Sequence, residues 1–131
     1  MKKIATLCCT LLLTASFTAP VLAANPVKTD MKAMSQSLRA ASQADDAAGM
    51  KAALTKLREY SVHDKGQIPP DFKDQPADGP ERKAYVEGLD TLIKQIDDTI
   101  GLLDAGKLDE AKAALDGMTQ TKREYHTKLK V

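Results

Sequence analysis

Residues 118–130, MTQTKREYHTKLK, close the chain with a helical pattern that can be followed back to Leu108. Leu108, Ala111, Leu115, Met118, Lys122, Tyr125 and Leu129 recur at three- and four-residue steps, which lays one stripe along an α-helix. His126 stands beside Tyr125 at the edge of that stripe, one turn after Lys122. A neutral imidazole there can bind a metal or a haem iron through one ring nitrogen while a carbonyl or carboxylate holds the other N–H. Taken alone, the residue reads more simply as a histidine half-buried at a bundle edge, so the rest of the chain has to decide.

Working back from that helix, three more segments carry the same periodicity. Asp78, Pro80 and Glu81 open a helix whose core face is Tyr85, Leu89, Leu92, Ile93, Ile96, Ile100 and Leu103, and Gly106 closes it. Before it, residues 64–79 form the one long connection, punctuated by Gly66, Pro69, Pro70, Pro76 and Gly79, with Ile68 and Phe72 expected to tuck beneath it. A second helix, capped by Asp45 or Asp46, presents Met50, Ala53, Leu54, Leu57 and Tyr60 and runs to about His63. The first starts at Asn25 and Pro26, buries Val27, Met31, Met34, Leu38 and Ala41 with Ser42 at the stripe's edge, and fades near Ala44. Two short turns and one longer loop predict an all-α, antiparallel up-down-up-down four-helix bundle. Its structural alternative is an extended helical hairpin that dimerises. The period near 3.5 in the last two helices favours shallow crossing angles.

The first residues stand apart from this pattern. Lys2 and Lys3 precede the apolar run Ile4 to Ala19, and Pro20 is followed by Val21, Leu22 and Ala23, which reads as a signal peptide over residues 1–23 cleaved before Ala24. The run is nearly long enough to anchor in a bilayer, but its threonines, Ser16 and Pro20 weaken that reading. Residues 24–131 then make one domain with a single core, exported to the periplasm and free of the membrane. Cys8 and Cys9 leave with the signal, taking with them any disulfide, thiol catalysis or covalent haem attachment. Without Lys2 and Lys3 the 19 basic residues become 17 against 18 acidic ones, a net charge of −1. The two signs are interspersed, which leaves no basic stripe for nucleic acid or an anionic membrane.

An up-down-up-down path puts the start of the first helix and the end of the last at the same end of the bundle. Met31 lies about six residues into the former and His126 about five before the end of the latter, so at about 1.5 Å per residue each is roughly 8–9 Å from that end. A thioether and an imidazole facing one another at equal depth can serve as an axial pair for haem iron. With both axial positions filled, electron transfer is expected rather than catalysis on a bound molecule. The haem must be b-type and non-covalent, because no cysteine survives processing. For Met31 alone the simpler reading is core packing.

At this point the chain resembles the soluble periplasmic cytochrome b562 proteins, themselves a standard example of this topology. The resemblance runs from about Asp30 to the C-terminus and is carried by Ala44-Asp45-Asp46-Ala47-Ala48, Ala53-Leu54-Thr55-Lys56, Pro69-Pro70, Gln95-Ile96-Asp97-Asp98, Gly106-Lys107 and Tyr125-His126. It implies that Met31 and His126 are the axial ligands of one haem per chain. Where the family places two phenylalanines against the haem, this chain has Tyr85 and Leu89, and the Tyr85 hydroxyl needs a partner. The family's arginine one turn before the histidine is Lys122, which keeps the charge and loses the planar fork. Lys122 and Lys130 are candidates for the haem propionates, with solvated surface lysines as the simpler reading.

His63 ends the second helix, where a cation suits the helix dipole; a surface or capping role is the simpler reading, a second ligand the lesser one. Met34 and Met50 read as packing. Glu81, Glu87, Asp90, Asp97 and Asp98 lack the Glu-x-x-His companions of a di-iron bundle. The expected protein is thus a monomeric, non-enzymatic electron carrier serving unidentified redox partner proteins. The competing class is a haem-free periplasmic bundle acting in protein interaction or stress response.

Overall fold

The computed structural model describes residues 25–131; the expected signal peptide lies outside the described residues. Every regular element among them is helical: α1 (Pro26–Gln43), α2 (Ala47–Lys65), a 3₁₀ turn (Pro70–Phe72), α3 (Pro80–Asp104) and α4 (Leu108–Leu129). Each helix packs on its neighbours in chain order and α4 returns to α1, which closes the up-down-up-down bundle within one chain. No helix among the described residues is long and apolar enough to cross a membrane.

The termini are built from local chemistry. The Asn25 side chain accepts the Val27 amide at 3.2 Å, with Pro26 as the first helical residue. Asp46 accepts the Gly49 amide at 2.7 Å. Gly79 and Pro80, rather than Asp78, start α3, and no side chain caps it. Gly106 adopts a left-handed φ of 77°, which lets its amide reach the Leu103 carbonyl and the Lys107 amide reach that of Leu102. That paired ending stops α3 and reverses the chain into α4 within three residues.

The core is one cluster of Met, Leu, Ile and Ala side chains, with Met50, Leu54, Leu57, Ile96 and Met118 among its fully buried members. Phe72 drops from the long connection into this core, but Ile68 does not follow it and stays 49% exposed. The Phe72 ring meets Tyr85 edge-on, with 6.4 Å between centroids, and so anchors the connection four residues beyond Ile68. On α2 the buried stripe runs Met50, Leu54, Leu57, Ser61, Asp64, and Tyr60 is only half-buried beside it. The helix therefore continues past His63 to Lys65 and carries two polar residues into the interior. Three ion pairs bind the exposed flank of α2 to α3, namely Lys51–Asp104, Arg58–Asp97 and Lys65–Asp90.

Candidate functional site

α1 and α4 meet far less closely than the other neighbouring helices. Between them, at the end where α1 begins and α4 stops, lies a cavity of about 510 Å3. Its wall is mainly apolar, including Met31, Met34 and Leu38 from α1, Leu57 from α2, Tyr85, Leu89 and Leu92 from α3, and Met118 and Leu129 from α4. The charged wall residues are Lys28, Asp71 and Lys122, with His126 as the titratable ring. The five residues singled out in the sequence, Met31, Tyr85, Leu89, Lys122 and His126, all border this one space. Lys130 does not; it takes a left-handed φ of 57° and ends α4 as a glycine would, so that the Val131 amide bonds the His126 carbonyl at 3.1 Å.

Met31 and His126 are half-buried. Burial, aided by the Lys122 charge, lowers the His126 pKa, which keeps the ring neutral and its lone pair free at neutral pH. Lys122 is held by a 2.8 Å hydrogen bond to the Ser35 hydroxyl, which ties α4 to α1 beside the cavity. The Tyr85 hydroxyl finds its partner in the main-chain carbonyl of Asp64, at 3.0 Å. Burial first, and the Asp64 and Asp30 charges second, raise the Tyr85 pKa, so the phenol stays protonated and donates.

Two features were not read from the sequence. Gly88 on α3 lies against the Tyr125 ring, where a Cβ would come within 2.7 Å of two ring carbons. A glycine in mid-helix costs about 1 kcal/mol against alanine, so its presence inside the α3 pattern was the available signal. The second is a polar cluster behind the cavity wall. Asp30 on α1 meets the Nδ1 of His63, and Asp64 lies alongside with no exposed surface and no hydrogen bond to either carboxylate oxygen. Burial, reinforced by the facing Asp30, pushes the Asp64 pKa up to about 7, against the opposing pull of His63. His63 is thus an exposed histidine at the end of a helix, as expected, but its ring is engaged across the helix pair.

A four-helix bundle with a mainly apolar cavity along one seam defines the class: a small all-α bundle with room for a ligand between its first and last helices. The family model described as "Cytochrome b562" matches residues 26–130. The chain is 35% identical over 113 residues, 86% of its length and 88% of the relative's, to a "Probable soluble cytochrome b562 2" of Yersinia pestis. It is 29% identical over 101 residues, 77% of its length and 80% of the relative's, to a "Probable soluble cytochrome b562 1" of the same organism. The chain belongs to the cytochrome b562 family. Membership implies b-type haem and the work of an electron carrier.

Proposed function

We propose that the chain is a periplasmic one-electron carrier that holds one b-type haem non-covalently in the α1–α4 cavity, between the Met31 thioether and the His126 imidazole. The observation that carries this reading is that these two side chains border the same mainly apolar cavity in a member of the cytochrome b562 family. Haem, when bound, supplies the one-electron Fe(III)/Fe(II) couple, and a thioether ligand favours the reduced state.

The chain's own residues divide the remaining work. His126 offers a neutral ring nitrogen, because its surroundings disfavour the protonated form. Met31 would offer its thioether from α1 as the second ligand, and a haem held by two side chains of the chain would serve electron transfer. Tyr85 and Leu89 would present apolar surface to the group from α3, and the Tyr85 hydroxyl is already engaged with the Asp64 carbonyl. Lys122, with Lys28 nearby in the wall, supplies positive charge for the propionates. The domain, residues 24–131 after removal of residues 1–23, acts as a monomer toward partner redox proteins.

An absorption spectrum of the haem-reconstituted protein tests the reading. The reduced form is expected to show sharp low-spin bands of His/Met ligation. Met31→Ala should give a high-spin spectrum and a lower reduction potential, and His126→Ala should release haem at least tenfold more readily. Unchanged spectra in both variants would remove this ligand pair. Purification without haem, together with no spectral response to added haem, would instead favour the haem-free interaction protein.

A further inference from the structure

We propose that Asp30, His63 and Asp64 form a binding site for one divalent first-row metal ion of the Zn2+ class, separate from the α1–α4 cavity. One ligand atom from each residue lies within 4.8 Å of the other two. His63 and Asp64 are consecutive on the last turns of α2, and Asp30 reaches them from the second turn of α1. An ion there would pin the first helical hairpin at its open end.

The cluster is more than a group of acidic residues. Asp64 has no accessible surface, and both of its carboxylate oxygens lack a partner. A carboxylate left so is costly, and native interiors supply it with a hydrogen bond, a cation or a metal. None of the nearby donors serves it. The Tyr85 hydroxyl goes to the Asp64 main-chain carbonyl, Lys65 pairs with Asp90, and the His63 Nδ1 faces Asp30. Asp30 is itself more than nine-tenths buried, so two carboxylates share the interior with a single imidazole. A bound cation would satisfy the orphaned oxygens and the Asp30 carboxylate together.

The donor set selects the ion. One imidazole with two carboxylates suits Zn2+ and its first-row neighbours, which such ligands hold at about 2.0–2.2 Å. Ca2+ asks for about six to eight oxygens, which these residues cannot provide. His63 is 55% exposed at its side chain, so an ion can enter from that side and complete its shell with water.

The test is Zn2+ binding to the haem-loaded full chain, first stripped with chelator, followed by competition against a chromophoric chelator and by thermal unfolding. One Zn2+ per chain is expected, with a higher unfolding temperature and an unchanged haem spectrum. His63→Ala and Asp64→Asn should each weaken binding at least tenfold and abolish the thermal shift. His126→Ala should retain the full Zn2+ stoichiometry with or without haem, which separates this site from the cavity. His63 is exposed, so its truncation tests the site even if the interior substitution perturbs folding. Absence of stoichiometric Zn2+ binding, or binding indifferent to His63→Ala, would overturn the proposal.

Discussion

Asp64 shows how one buried carboxyl sets a pH dependence for the whole fold. In the native protein its pKa lies at about 7, whereas an unfolded chain holds an aspartate near 3.9. Between those values the native state binds the extra proton, so this group lowers stability as pH rises from about 4 to about 7 and has its full cost above that. Asp30, His63 and the Tyr85 hydroxyl are the titratable groups around it. Asp64→Asn carries no charge at any pH, so it removes this cost. With chelator present, the variant should be more stable than the parent at pH 8, by roughly 2–4 kcal/mol from the size of the shift, and nearly equal to it at pH 4. Urea unfolding at the two pH values checks this; an equal gap at both would mean that Asp64 does not titrate in this window. The residue was hidden in the sequence because a stripe search follows apolar side chains. Met50, Leu54, Leu57, Ser61 and Asp64 keep steps of four and three, but the last two are polar, and Tyr60 drew the stripe aside.

The helices themselves were legible where their ends carry backbone chemistry. Pro26 and Pro80 mark first turns, and Gly106 marks a left-handed stop, because each residue type answers a constraint that others meet poorly. What the pattern could not convey was contact between helices, and Gly88 is the case in point. On α3 it makes room for the Tyr125 ring of α4, over which Lys128 lies 5.3 Å from the centroid while pairing with Glu87 at 3.6 Å. Tyr125 directly precedes His126, so this packing sets the rotation of the turn that carries the proposed ligand. Gly88→Ala should therefore destabilise the protein by about 1–3 kcal/mol, the usual range for overpacking, although alanine is the better helix former. It should also speed haem loss, measured by transfer to an excess of a haem-scavenging apoprotein. A neutral or stabilising result would show that Tyr125 can swing aside without cost.

Across the whole molecule, the two helical hairpins are joined through α2 and α3 and part along α1 and α4. A bundle with one loosely sealed seam loses apolar contact there, and a ligand seated in the seam restores it for both hairpins together. Stabilisation by such a ligand follows mass action: at a free haem concentration 100 times the dissociation constant it is about 2.7 kcal/mol. For a domain of this size that corresponds to roughly 10–20 °C in Tm. The gain should fall unevenly along the chain. Amides of α1 near Met31 and of α4 near His126 should gain the most protection from hydrogen exchange, since their opening breaks the seam without unfolding the α2–α3 interface. The α2–α3 face carries the Lys51, Arg58 and Lys65 ion pairs and should change least. Protection rising equally in all four helices would mean that the apoprotein opens only by global unfolding. Protection confined to α3 would place the ligand away from the Met31–His126 seam.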